Sequence, residues 1–372
     1  MLKVAIIGCG KIADAHLEEI QRVGDCEVVA ACDCEPLMVR QCCDRYHIPH
    51  AFRDVRELLD ACRPDVVHLT TPPRSHFPIA MQCLASGAHL YIEKPFALNY
   101  EETRQLLDCA ESKRLKITAG HDLQFSPVAR RMRGLIQTGY LGGAPVHMES
   151  YYCYELGNPT YARALLANSG HWVRQLPGKL LQNVISHGMA RLAEYFEGDD
   201  PDVQVCGYVS PMLRSLGEEE IVDELRVMVS EGRQRSAYFT FSSQMQPALN
   251  QFRIFGPANG LVLDQDQETL LRLPGRRFKS YAQKFIPPVV TAKECISNVA
   301  TNLRLLLRRE FQPKAGMHWL ISSFYNAIAN NTPPPIPARE ILWTARVMDK
   351  IFAQLHRGGD WGELHKIHDE IP

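Results

Sequence analysis

No apolar run in this 372-residue chain reaches the ~18 to 20 residues of a membrane span. An excess of one charge is missing too. Lys and Arg number 41 and Asp and Glu 42, a formal −1, so no global field draws the chain to nucleic acid or to an anionic surface. Among 12 cysteines there is no Cys-x-x-Cys pair, and no metal site is expected. Cys32, Cys62, Cys83, Cys109 and Cys206 lie in apolar periodic segments and read as small reduced core residues of a cytoplasmic protein, while Cys9 and Cys42–Cys43 are candidate reactive thiols. The N-terminus enters an apolar strand pattern with no signal-peptide pattern before it. Internal repeats and low-complexity tracts are absent. What remains is a globular chain too long for one ordinary core, so two domains are expected.

What is present begins at once. Lys3-Val4-Ala5-Ile6-Ile7 is a β-rich run that ends in Gly8-Cys9-Gly10-Lys11-Ile12-Ala13, a Gly-x-Gly-x-x-Ala turn opening a helix. Gly8 allows the tight turn, Gly10 lets a pyrophosphate approach the backbone, and Ala13 lets helix and strand pack closely. Lys11 and Ile12 start the helix, whose free N–H groups and positive dipole end suit phosphates. A second β-rich run, 27–32, ends in Asp33, about 20 residues on, where a ribose-binding acid belongs. A carboxylate there accepts the ribose hydroxyls of NAD and repels the 2′-phosphate of NADP. No arginine follows Asp33 directly, so NAD is expected and NADP disfavoured.

Strand and helix patterns alternate to about residue 122. Strands are expected at 2–7, 27–32, 65–70, 88–92 and 116–120, with helices near 12–23, 35–46, 54–61, 76–86 and 100–113. Such alternation predicts a doubly wound parallel sheet. Beyond Gly120, period-two strands at 145–154, 203–210, 221–230, 235–243, 249–255, 260–264 and 269–273 follow one another across short turns. They predict an α+β half with a large antiparallel sheet. The proline cluster at 333–335 and 337 precedes a helix with Ile341, Ala345, Met348, Phe352 and Leu355 on one face. The expected domains are 1–122, binding the dinucleotide, and 123–372, binding substrate and making subunit contacts.

Further segments resemble the glucose–fructose oxidoreductase, inositol dehydrogenase and rhizopine-catabolism (Gfo/Idh/MocA) family. They are Thr70-Thr71-Pro72-Pro73-Arg74-Ser75-His76, Glu93-Lys94-Pro95, Gly120-His121-Asp122-Leu123-Gln124, and Trp172-Val173-Arg174 followed by Asn183-Val184-Ile185-Ser186-His187. The resemblance runs from residue 1 to about 355, weakest between 275 and 315. It implies an α/β chain with an N-terminal Rossmann domain and a C-terminal α+β domain carrying a large, mostly antiparallel open sheet. It also implies an NAD-dependent enzyme that interconverts a secondary alcohol and a ketone on a sugar, inositol or sugar nucleotide. The same likeness covers a redox-neutral, NAD-recycling glycoside-cleaving enzyme and a non-catalytic NAD-dependent sensor. Thr71, Pro72, His76, Glu93, Lys94 and His121 are thereby expected at the cofactor.

Hydride transfer needs a group that moves the hydroxyl proton. His187, near its ordinary 6.5, is suited to that task, whereas a lysine must fall by about three pH units to act as base. His187 is therefore read as general acid/base and Lys94 as the donor that polarises the oxygen; the resemblance also allows the reverse. Asn183 stands where the family usually has Asp. It is expected to bind substrate or the imidazole without supplying a charge, or to be a plain helix N-cap. Trp172 offers a face for a sugar and Arg174 a fork for hydroxyls or a phosphate. Gln124 is a further substrate candidate; Asp122, His171 and Gln182 are weaker ones. Tyr152 and Tyr154 share a strand face, as core or as pocket.

From Arg276 to Lys314 there are nine basic residues and two acids. Within the segment Ile296, Val299, Ala300, Leu303 and Leu307 mark an apolar helix face, which is expected to pack on the sheet and leave a solvated basic edge. The sharper alternative is a site for an anionic substrate or a lipid-linked sugar at a membrane surface. The resemblance further implies a homodimer or homotetramer and a cis Lys94–Pro95 peptide.

Overall fold

A computed structural model describes residues 1–154, 170–275, 278–279, 281–308, 310–312 and 314–357. Six parallel strands form the first sheet: β1 (Leu2–Ile7), β2 (Cys26–Cys32), β3 (His50–Phe52), β4 (Val66–Leu69), β5 (His89–Ile92) and β6 (Ile117–Ala119). Their order is β3-β2-β1-β4-β5-β6. The direction of travel reverses between β1 and β4, which opens a crevice at the carboxyl ends of the strands. Val4 to Ile7 and Val66 to Leu69 are buried, because helices cover both faces of a parallel sheet. Helix starts follow local chemistry: Asp54 accepts from the amides of Arg56 and Glu57, and Asn99 from that of Glu102.

The second sheet comprises β7 (His147–Tyr152), β8 (Asp202–Tyr208), β9 (Glu224–Glu231), β10 (Arg235–Ser242), β11 (Asn250–Phe255), β12 (Asn259–Asp264) and β13 (Thr269–Pro274). Its order is β13-β12-β11-β7-β10-β9-β8. All neighbours are antiparallel except β7 and β10, which run parallel. The departure from a wholly antiparallel sheet has a topological cause. β7 lies between two hairpin runs laid down after it, so its neighbours are not its chain successors.

Two expectations need correction. The division at residue 122 is not clean, because the helix Ala315–Ala329 returns to the first core. Its Met317, Leu320, Ile321, Phe324 and Tyr325 join the cluster around Leu69, Leu90 and Ile92. The second correction concerns the helix Ala282–Leu307, whose apolar row faces outward. Asn298 is its buried residue: its amide oxygen accepts from Leu270 N (3.1 Å) and its amide nitrogen donates to Leu270 O (2.9 Å) on β13. Glu294 pairs with Arg272 and Asn302 donates to Gln267 O. One polar line thus holds the helix to the sheet edge. Of the basic residues noted in this segment, Arg276, Arg277 and Arg309 lie outside the described residues. No described helix is long and apolar enough to cross a membrane.

Candidate active site

The crevice of the first sheet holds a groove of about 850 Å3. Gly8, Gly10, Lys11, Ile12, Asp33, Thr71, Pro72, Glu93, Lys94, Trp172 and Asn183 line it. The Gly8 turn is tight: φ is +96°, and a Cβ would lie 2.7 Å from Thr71 N. The Thr70 hydroxyl pins the same turn by donating to Gly8 O at 2.6 Å. At Gly10 a Cβ would meet nothing within 4 Å, so space opens in front of the helix Lys11–Ile20, which has no side-chain cap. Asp33 is held by Cys9 N (2.7 Å) to one carboxylate oxygen and Glu35 N (2.9 Å) to the other. Oδ2 keeps a lone pair for a ribose hydroxyl, while Oδ1 also takes a weak bond from the Cys34 thiol at 3.7 Å. An open helix end and a braced acid beyond it fit a dinucleotide. Arg53, just past β3, also lines the groove beside Asp33. Sequence reading looked for an arginine only next to Asp33 and so missed it.

The far end of the groove lies between the two sheets. The Lys94–Pro95 peptide is cis. The Lys94 ammonium donates to the backbone oxygen of Asn183 at 3.0 Å, and Arg74 donates to the Gln175 side chain at 3.0 Å. Asn183 sits inside the helix Lys179–Val184, so it is not an N-cap. The next helix, Ser186–Ala193, lies close on the sheet: a Cβ at Gly188 would be 2.2 Å from the Phe239 ring, and Ser150 donates to Gly188 O. That contact sets the position of His187 one residue earlier. His187 Nδ1 is 4.0 Å from the Asp122 carboxylate, and its ring meets those of His121 and Tyr152 at 5.7 and 5.9 Å between centroids. The His121 and His187 Nδ1 atoms are buried without a hydrogen-bond partner, and neither ring is among the residues that line the groove.

Electrostatics bears on the expected roles. Burial, with Lys94, His121 and Arg191 nearby, holds His187 well below the usual imidazole range. The premise that it titrates near neutrality therefore fails. Burial also lowers Lys94, against the opposing pull of Glu93 and Asp122. His121 falls to about 4 through burial and Lys94, while Asp122 rises to about 6 through burial and Glu93. Asp122, given little weight in the sequence, is the carboxylate nearest His187.

Several expected residues stand elsewhere. His76 is fully buried, bonded to the carbonyl oxygens of Pro95, Phe96 and Thr71, and braces the groove wall from behind. His121 lines a small separate cavity with Pro95, Gln182 and Ser186. Gln124 is buried and donates to Ala190 O; Gln182 bonds Gly178 N and Leu98 O. Arg174 is paired with Glu218, and His171 accepts from Val173 N. Apart from His121, each of these has a hydrogen-bonding partner within the protein, which competes with substrate binding. The side-chain hydrogen bond between Cys9 and Cys42, and then burial, raises the Cys9 thiol, while the same bond lowers Cys42; burial raises Cys43 to about 11.

Behind Glu93 runs a buried chain that sequence reading did not identify. Glu93 accepts from His16 Nε2 (2.9 Å), and His16 Nδ1 meets His68 Nδ1 (2.8 Å). His68 Nε2 meets the Tyr325 hydroxyl (2.8 Å). A carboxylate only accepts, so with neutral rings every proton in the chain points the same way: Tyr325 to His68, His68 to His16, His16 to Glu93. Burial alone would raise Glu93, but the His16 bond holds it below the ordinary carboxylate range. A signal was present: His16 shares a helix row with Ala13 and Ile20, and His68 interrupts an otherwise apolar strand. Among the described residues no group of His, Cys, Asp and Glu is placed to hold a metal ion.

Residues 2–121 match the family described as "Oxidoreductase family, NAD-binding Rossmann fold". D-Glucoside 3-dehydrogenase of Escherichia coli is 30% identical over 142 residues, 38% of this chain and 40% of that protein. Alpha-N-acetylgalactosaminidase of Shewanella oneidensis is 26% identical over 207 residues, 52% of this chain and 44% of that protein. The chain thus spans less than half the length of these curated relatives. The WlbA dehydrogenase of Bordetella pertussis, solved with NADH and UDP-GlcNAcA, shares the fold at a TM-score of 0.74 and 15% identity, covering 96% of each chain.

Proposed function

We propose that this chain, whose residues 2–121 match the oxidoreductase family with the NAD-binding Rossmann fold, oxidises a secondary alcohol of a sugar, polyol or sugar nucleotide, or reduces the matching ketone. One observation carries the reading. Lys94 ends the dinucleotide groove with its ammonium on the backbone of the second domain, beside two buried imidazoles with unpartnered nitrogens. NAD, when bound, supplies the hydride acceptor or donor. Gly8, Gly10 and the free helix N-terminus bind the pyrophosphate, and Asp33 takes the ribose hydroxyls. Thr71 and Pro72 shape the wall next to Lys94.

For the proton, we reverse the roles expected from sequence. Lys94, depressed by burial and reached from the groove, accepts the hydroxyl proton at Nζ in oxidation and returns it in reduction. His187 stays neutral and orients the reacting oxygen by a hydrogen bond. Asp122, 4.0 Å from the neutral His187 ring and acting on Lys94, supplies the negative charge that Asn183 lacks. Trp172 offers its ring at the groove mouth for a sugar face. Twelve unpaired cysteines suit a reducing cytoplasm, and a homodimer or homotetramer is expected.

The test is a panel of glycosides, polyols and sugar nucleotides, followed by absorbance of reduced nicotinamide. Formation of NADH with one class, abolished by Lys94→Met, is the expected result. The longer match to the Shewanella galactosaminidase favours a second reading, in which glycoside cleavage proceeds with no net NADH. If all substrates are inert while Lys94→Met keeps the protein's full biological effect, the enzyme reading fails.

A further inference from the structure

The helix Ala282–Leu307 has its polarity reversed relative to an ordinary surface helix. Its polar residues Glu294, Asn298 and Asn302, spaced four apart, are anchored to the protein. Its apolar residues face out: Phe285 is 67% exposed, Val289 69%, Ile296 70%, Val299 68%, Leu303 54% and Leu307 77%. An exposed row of this size marks a surface that is covered in use. Lys284, Lys293, Arg304 and Arg308 are exposed on the same helix and its end, and the one acid within it, Glu294, is already paired with Arg272.

We propose that this helix lies in the plane of an anionic lipid surface, with its apolar row among the acyl chains and its basic residues at the headgroups. Charge decides the occupant. The segment 276–314 carries nine bases and two acids, which complements anionic headgroups. A second copy would set one basic row against another, with no free acid on this helix to offset the repulsion. The helix spans 26 residues, roughly 39 Å at 1.5 Å per residue. It lies flat because its polar line is fixed to β13, and no described helix is apolar enough to cross the bilayer. The assignment is independent of the chemistry in the groove, since vesicle binding requires neither NAD nor a sugar.

The experiment is flotation of the full chain with vesicles of phosphatidylcholine, with and without 30 mol% phosphatidylglycerol as a probe composition (roughly one charged lipid in three, enough for a surface potential). Binding to the anionic vesicles alone, weakened by salt, is expected. Arg304→Glu with Arg308→Glu should weaken it by roughly 25-fold or more, at about fivefold per basic residue lost. Ile296→Gln with Leu303→Gln should abolish it, and Lys113→Glu, in the first domain, should leave it unchanged. NAD binding reports that each variant is folded. Failure to float with anionic vesicles overturns the proposal, as does binding that these substitutions leave intact. A dimer in gel filtration that Ile296→Gln with Leu303→Gln dissociates, without vesicle binding, also overturns it by assigning the row to a second copy.

Discussion

Replacing Asp122 by asparagine removes a charge while keeping the shape of the side chain. In the folded protein this carboxyl rises from 3.8 to about 6, chiefly through burial and then through Glu93. That rise corresponds to about 3 kcal/mol of penalty on the ionised form. The sign follows from linkage. Asp122 ionises more easily in the unfolded chain, so its contribution to stability is greatest below about pH 4, falls between about 4 and 6, and is flat above. Asp122→Asn is free of that penalty. The variant should therefore match the wild type near pH 3 in thermal denaturation and exceed it by up to about 3 kcal/mol at pH 8. Activity should move the other way. The Asp122 carboxylate acts on the Lys94 ammonium and lies 4.0 Å from the neutral His187 ring, so its loss disturbs both the proton carrier and the group that orients the reacting oxygen. A loss of about 10- to 100-fold in kcat/KM is expected, together with loss of the wild-type acid limb near pH 6. A stability gap that is constant with pH, or an acid limb that persists in the variant, would refute the reasoning.

Lys94→Met should lower kcat by about 10²- to 10⁴-fold while NAD affinity, read by fluorescence titration, changes little. Asp33→Ser should weaken NAD about tenfold, one good charged hydrogen bond, and admit NADP, because Arg53 already lines that end of the groove; the gain should vanish in Asp33→Ser with Arg53→Ala. Tyr325→Phe leaves His68 Nε2 without its donor and should destabilise the fold by about 1–3 kcal/mol in urea denaturation. Gly8→Ala should abolish NAD binding in calorimetry, since its Cβ has no room beside Thr71.

The cofactor groove was legible because its residues come at short, fixed offsets from strand ends, as Gly8, Gly10, Asp33 and Lys94 do. Arg53 and Tyr325 were not, because they reach the site from segments whose place depends on the finished fold. The strand His50–Phe52 is three residues long and shows no period. For His187 the sequence supplies only the solution pKa of an imidazole, which burial lowers. Burial depends on how closely Gly188 lies to Phe239, a distance no local pattern encodes. The helix Ala282–Leu307 was read with the correct apolar row but the opposite orientation. Periodicity identifies a face; it does not say which neighbour, protein or otherwise, that face will meet.

The pairing of Asn298 with Leu270 has a consequence for aggregation. An open β-edge is a template on which a foreign strand can grow, and β13 ends the larger sheet. The carboxamide of Asn298 has the same donor and acceptor as a backbone peptide, and it engages both groups of Leu270 as a neighbouring strand would. One side chain thus occupies the outward-facing peptide groups of Leu270, and Asn298→Leu would leave them open to a foreign strand on that rim.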